Sequence, residues 1–261
     1  MKIIDIHTHI YPEKIARKAT DSVRDFYHIQ GSSMDGTVDM LLRRGKEAGI
    51  SQYLVLPVAN APNRVQSIND FIVEQTKQHD CFVGFGTVHA RMEGICEETQ
   101  RIMTMGLRGI KMHPDSQRFC IDDIRLYPVY DLIQGKVPVL LHMGDQRYNY
   151  SHPVRLRRIL EAFPQLEVIA AHFGGYSMYE IAAQELQGKN CFFDVSSSLM
   201  FMEAGVAEKY INHYGAERFV YGSDFPMWNP VKEMERFMRL KLTDDQKEQI
   251  AHITAERILK I

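Results

Sequence analysis

An α/β fold, specifically a (β/α)8 TIM barrel, is predicted by three features of this sequence. Eight short apolar, β-branched runs punctuate the chain: Ile3–Ile10, Tyr53–Val58, Phe82–Val88, Gly109–His113, Val137–Gly144, Glu167–Gly174, Cys191–Ser198 and Phe219–Phe225. From the second run on, they start at positions 53, 82, 109, 137, 167, 191 and 219, which leaves room for one helix per gap. The first run ends in His7-Thr8-His9, where a doubly wound open sheet usually carries a Gly-rich phosphate turn. Eight right-handed βα units close most simply into a barrel, and 261 residues match the roughly 250 of one such domain, here residues 1–261.

The elements follow in order. The gap from the first strand to the second is the longest, so an insertion is expected around Glu13–Gly36, with a turn at Gln30–Gly36. Thr37 can cap a helix over Val38–Ala48, which Gly49 ends. Pro153 opens a helix over Val154–Phe163 and Pro164 ends it. Thr243 can cap the last helix, whose Asp244 and Asp245 suit the positive helix end. Strands this apolar are buried on both faces, as helices outside a closed ring require.

Composition removes several classes of function. Hydrophobic residues make up 45% and charged residues 25% of the chain, which excludes disorder, collagen and coiled coil. Lys+Arg 31 against Asp+Glu 33 leaves a net charge of -2, with no basic stripe for nucleic acid or a membrane surface. No apolar run approaches the ~18 residues of a membrane span, and Asp5 and His7 interrupt the first apolar stretch as no signal peptide allows. Cys81, Cys96, Cys120 and Cys191 form no C-x-x-C pair and read as reduced thiols of a cytoplasmic protein.

Chemistry in a barrel sits at the C-terminal strand ends. There the chain places Asp5-Ile6-His7-Thr8-His9, Lys111-Met112-His113-Pro114, His142-Met143-Gly144-Asp145, His172-Phe173-Gly174-Gly175 and Ser223-Asp224-Phe225-Pro226. With 11 histidines, an H-x-H pair is a weak signal by itself; its address is the information. His7 and His9 lie two apart on a strand and point the same way. A histidine in an apolar strand is usually a bonded core residue, and Asp224 alone could be a helix cap. Five such groups at one rim would instead leave costly unpaired polar atoms unless they share a partner. Imidazole with carboxylate suits a first-row metal, so His7, His9, His142 and Asp224 are expected to converge on one divalent ion.

This ordered set, Asp-Ile-His-Thr-His, His142, Ala-His-Phe-Gly-Gly around His172 and Tyr-Gly-Ser-Asp-Phe-Pro around Asp224, resembles the amidohydrolase superfamily. The resemblance covers nearly the whole chain and is strongest to the amidohydrolase-related branch, which holds metal-dependent hydrolases, lactonases and non-oxidative decarboxylases. It implies that His7, His9, His142 and Asp224 ligate a catalytic metal, most simply zinc, with manganese or iron as alternatives. It implies that His172 orients or deprotonates the bound water or holds a second metal. Lys111 is either a carboxylated bridge between two ions or an ammonium meeting a substrate anion, with His113 on the same strand face. One ion is expected, and two if Lys111 is carboxylated. A departure lies at Thr254, where relatives often carry Asn.

The expected reaction is attack of metal-activated water on an amide, ester or lactone carbonyl of a small molecule, with Asp224 and His172 catalytic. Decarboxylation of an aromatic or unsaturated acid is the alternative, and a barrel that only binds is a third reading. Weaker substrate candidates are Arg147 and Tyr148 in the polar loop after the fifth strand, Trp228 as an apolar wall, and His89. Asp5 is a candidate support for the imidazoles if it faces them. His28, His79, His152, His213 and His252 read as structural. Barrels of this kind commonly form homodimers, though no interface is legible here.

Overall fold

A computed structural model describes residues 1–29 and 34–261. Its strands are β1 (Ile4–Thr8), β2 (Gln52–Val55), β3 (Phe82–Gly84), β4 (Gly86–Thr87), β5 (Ile110–Met112), β6 (Val139–Leu141), β7 (Val168–Ala170), β8 (Cys191–Asp194) and β9 (Phe219–Val220). All pairings are parallel and run in chain order, β1 to β3 and β4 to β9. The expected third strand is split at Phe85. Its first piece pairs with β2 and its second with β5, while Arg108 N donates to Gly84 O (2.8 Å) and Gly86 N to Gly109 O (2.9 Å) across the join. The ring closes where Ile6 N donates to Tyr221 O (2.9 Å), Asp224 N to His7 O (2.8 Å) and His9 N to Phe225 O (2.7 Å). This is the expected TIM barrel.

The helices are α1 (Glu13–Tyr27), α2 (Val38–Glu47), α3 (Val65–Gln78), α4 (Ile95–Thr104), α5 (Pro114–Gln117), α6 (Tyr127–Ile133), α7 (Pro153–Ala162), α8 (Tyr179–Leu186), α9 (Val206–Tyr214), α10 (Pro230–Met238), α11 (Asp244–Glu248) and α12 (Thr254–Leu259). Thr37 caps α2 by accepting from Met40 N, and Thr243 forms a reciprocal capping box with Gln246. Two helices, α1 and α2, lie between β1 and β2. Residues 30–33 of the expected turn at 30–36 lie outside the described residues. The four cysteines are free, and among the described residues no helix is long and apolar enough to cross a membrane.

Apolar side chains divide into two cores. Ile4, Ile6, Leu54, Leu56, Phe85, Leu140, Ile169 and Val220 fill the barrel, and Ala255, Ile258 and Leu259 of α12 close it at one end. A larger core, including Tyr53, Val55, Ile110, Met112, Val168 and Phe193, lies between strands and helices. Gly84 and Gly86 allow that packing: a Cβ there would sit 2.7 and 2.6 Å from Ile72 and Ile102 on the covering helices. At Thr254, the hydroxyl donates to Glu217 O (3.3 Å) and accepts from Gln249 (2.9 Å), a packing role.

Strand parity alone would aim Ile4, Ile6 and residue 8 into the barrel. A bulge changes this. Asp5 pairs with Tyr53 but Thr8 pairs with Val55, so β1 carries one extra residue between them. Past that residue, His7 and His9 take over the inward direction. Asp5 holds the bulge: its Oδ1 accepts from His7 N (3.2 Å) and Ser223 N (2.9 Å). Asp5 was a candidate support for the imidazole rings only if it faced them; its Oδ1 supports backbone.

Candidate metal centre

The inward residues at the strand ends form the floor of a cavity of about 1130 Å³, with His7, His9, His113, His142, His172 and Asp224 in its lining. Each histidine reaches it from a different support. His7 Nδ1 donates to Asp194 Oδ2 at 2.8 Å, which leaves Nε2 with a lone pair. His9 Nδ1 donates to the Leu56 carbonyl at 2.7 Å, so its Nε2 also carries a lone pair. Both Nε2 atoms lie 3.5 Å from Asp224 Oδ1. Three electron-rich atoms therefore converge with no hydrogen between them, the donor set a cation requires. Ligand atoms of His7, His9 and Asp224 all lie within 4.8 Å of one another.

The remaining expected residues surround this trio. His142 is outside that 4.8 Å group; its Nδ1 is 3.0 Å from His172 Nε2 and its Nε2 is 3.2 Å from the Tyr27 hydroxyl. His172 Nδ1 donates to Ser196 O at 3.1 Å. Lys111 is fully buried, with Nζ 3.3 Å from His7 Nε2. His113 stacks on His142, centroids 3.9 Å apart and planes within 8°. Trp228 lines the cavity and donates from Nε1 to Ser197 Oγ (2.7 Å), which in turn donates to Asp224 Oδ2. His89 lines the cavity too.

Arg147 and Tyr148 lie elsewhere. Neither is among the lining residues; Arg147 binds Asp145 (2.6 Å) and donates to Phe26 O (2.6 Å), so its guanidinium is committed to holding loop and helix together.

Electrostatics favour metal-competent protonation states. Burial, then the nearby Lys111, pushes the His7 imidazole down to about 4. Burial also holds His113 and His142 well below the usual imidazole range. Burial opposes the charge on Asp224, but His7, His9 and His172 together hold it well below the usual carboxylate range. Asp194 behaves alike: burial opposes ionisation, yet His7 draws it down to about 2. Burial lowers the Lys111 ammonium to about 8. At neutral pH His7, His113 and His142 are neutral and Asp194 and Asp224 ionised, as ligands must be.

The backbone here is strained. His172, Phe173, Ser197 and Asp224 take φ of 59, 55, 50 and 58°, the left-handed region that non-glycine residues rarely adopt. Such residues cost on the order of 1–3 kcal/mol each and cluster at functional sites.

Comparison with known proteins agrees with this geometry. The amidohydrolase family profile matches residues 4–261. The chain belongs to the amidohydrolase family. It is similar in structure to an uncharacterised TIM-barrel protein of Bordetella bronchiseptica (TM-score 0.84, 22% identity, 100% of this chain and 99% of that one). It is also similar to 5-carboxyvanillate decarboxylase of Sphingomonas paucimobilis (0.74, 15%, 100% and 99%). A third similar structure is the dihydroxybenzoic acid decarboxylase of Polaromonas, with bound manganese and the inhibitor 2-nitroresorcinol (0.77, 16%, 99% and 97%). No protein with a curated description matches the sequence. Within this amidohydrolase, sequence reasoning missed Asp194, Asp115 and Tyr27. Asp194 ends β8 as Asp-Val-Ser-Ser-Ser and was open to the same strand-end reading. Asp115 follows His113-Pro114, a continuation of a motif already noted. Tyr27 lies on α1, 86 and 115 residues from the imidazoles it meets, and carries no local signal.

Proposed function

We propose that this amidohydrolase is a metal-dependent hydrolase of a small-molecule amide, ester or lactone, with one divalent ion held by His7, His9, His142 and Asp224. The observation that carries the reading is the pair of Nε2 lone pairs aimed at Asp224 Oδ1, each fixed by a hydrogen bond from its own Nδ1. His142 completes the set through Nδ1. A bound divalent ion supplies water acidified to a pKa of about 7 and polarises the carbonyl. Asp224, ionised and steadied at Oδ2 by Ser197, takes the proton of the attacking water and returns it to the leaving group. His172, whose Nδ1 donates to Ser196 O, presents its Nε2 lone pair to orient the attacking water, and Lys111 keeps its amine beside His7. His113 and Trp228 border the substrate. Imidazole and carboxylate accept zinc, manganese or iron alike; metal analysis of purified protein decides among them.

A second reading, non-oxidative decarboxylation of an aromatic or unsaturated acid, is favoured by the cavity wall. Arg64, Arg91 and Arg118 line it, whereas Asp224 is the one acidic lining residue among the described residues. Two of the similar structures are named as decarboxylases of such acids. Metal-loaded protein tested on amides, lactones and aromatic acids in 18O-water separates the two. Label in a carboxyl product supports hydrolysis. Carbon dioxide release with no 18O in the organic product overturns hydrolysis in favour of decarboxylation, and a protein that takes up no metal and turns over none of these substrates overturns both.

A further inference from the structure

Two of the imidazoles at the centre have rigid supports behind them: a buried carboxylate for His7, a backbone carbonyl for His9. Behind His142 stands a phenol. Tyr27, at the last position of α1, places its hydroxyl 3.2 Å from His142 Nε2 and 2.7 Å from His113 Nε2. Asp115 Oδ2 is farther, at 3.7 Å from the same His142 atom.

His113, Asp115 and His142 bring ligand atoms within 4.8 Å of one another, which raises the question of a second ion. Ring geometry answers it. The rings stack with planes within 8°, and both Nε2 atoms already meet the Tyr27 hydroxyl, at 2.7 and 3.2 Å, so a phenol stands where a second ion would have to sit. A hydroxyl, with one hydrogen and two lone pairs, is the group that bridges two such nitrogens.

We propose that Tyr27 is a positioning residue of the metal centre: its hydroxyl accepts from Nε2–H of His142 and from Nε2–H of His113, whose Nδ1 accepts from Ser116 N, leaving the Nδ1 lone pair of His142 for the ion. The proposal rests on the metal-dependent reading above. The phenol serves either tautomer of His142, because a hydroxyl donates to Nε2 when Nδ1 carries hydrogen and accepts when Nδ1 must present a lone pair. Phenylalanine can do neither. The hydroxyl's position is held by Arg147. Its Nη1 donates to Phe26 O at 2.6 Å, its guanidinium lies 4.8 and 5.2 Å from the ring centres of Phe26 and Tyr27, and Asp145 holds its other edge at 2.6 Å. The sequence Asp145, Arg147, end of α1, Tyr27, His142 thus ties the helix after the first strand to the ion's ligand shell.

The test is cobalt(II) binding to full-length protein, read by competition with a chromophoric chelator and by the visible spectrum of the bound ion. Tyr27→Phe is expected to weaken cobalt binding roughly tenfold or more, the usual cost of losing a ligand's hydrogen-bond partner, and to alter the visible bands. The melting temperature without metal should stay near wild type, as a merely structural role would not allow. Arg147→Gln, which releases the helix end and keeps the hydroxyl, should weaken binding in the same direction by less; it decides the matter if Tyr27→Phe fails to fold. Cobalt affinity within twofold of wild type and an unchanged spectrum in either folded variant would overturn the role of Tyr27 alone. Wild-type protein that binds no cobalt would overturn the metal reading beneath it.

Discussion

Replacing Asp5 by alanine should be strongly destabilising. Asp5 Oδ1 accepts from the backbone N–H of His7 and of Ser223, at 3.2 and 2.9 Å, and all three residues are buried. Alanine leaves both donors without an acceptor where water does not reach. Each unsatisfied buried group costs about 1–3 kcal/mol, so the pair costs about 2–6 kcal/mol. That is a large share of the 5–15 kcal/mol typical of a folded domain. Asparagine keeps an oxygen at the accepting position and puts its amide where Oδ2 lies, an atom with no hydrogen-bond partner. Its loss should be near 1 kcal/mol. The assay is urea unfolding of metal-free protein, followed by the fluorescence of Trp228, the single tryptophan. A pH series adds a second check. Burial raises the Asp5 carboxyl from 3.8 to about 7, so between those values the folded state holds a proton the unfolded chain has lost. Wild type should therefore lose stability relative to Asp5→Asn as pH rises from about 4 to about 7, and the difference should level off above. Alanine and asparagine variants of equal stability would refute the claim that Asp5 works through its acceptor oxygen.

Further outcomes follow from the same geometry. Asp224→Asn should keep the fold, since asparagine tolerates a φ of 58°, and keep most metal while losing turnover; wild-type rates would remove Asp224 as proton carrier. His142→Ala should lower metal content per chain, measured by elemental analysis, and unchanged stoichiometry would remove it from the ligand set. Chelation should lower the melting temperature. At a metal concentration 100 times Kd the bound ion contributes about 2.7 kcal/mol, roughly 5–10 °C for a chain this size, and an unchanged melting curve would show that no ion binds the folded state preferentially.

The barrel was legible because its signal is redundant. Every strand offered a similar apolar run, from the second on at similar spacing, and helix caps at Thr37 and Thr243 agreed with it. The break at Phe85 was hidden because parity survives it: Phe85 faces the barrel interior, as an unbroken strand would place it. The strand-end rule also located His7, His9 and Asp224 correctly relative to one another, since a closed ring brings the first and last strands together.

What sequence could not supply was the means by which the site faces inward. An alternating pattern read from Ile4 and Ile6 points His7 at the helices, and only an extra residue in β1 turns it into the barrel. A bulge leaves no mark in the pattern except the residue that stabilises it, and Asp5 looked equally suited to bonding a ring. The same ambiguity attends Arg147, whose polar, aromatic loop suits a substrate as well as it suits a clamp on α1. Both cases have one physical origin. A polar side chain announces that it needs a partner, but not whether that partner is a ligand or the protein's own backbone, and the nearest unsatisfied backbone group is often the stronger claimant. The histidines escaped this ambiguity because a neutral imidazole has two unlike nitrogens. Once Asp194 and Leu56 satisfy the donor side of His7 and His9, the acceptor side must still meet something positive: His7 Nε2 has Lys111 Nζ at 3.3 Å, whereas His9 Nε2 faces another acceptor, Asp224 Oδ1.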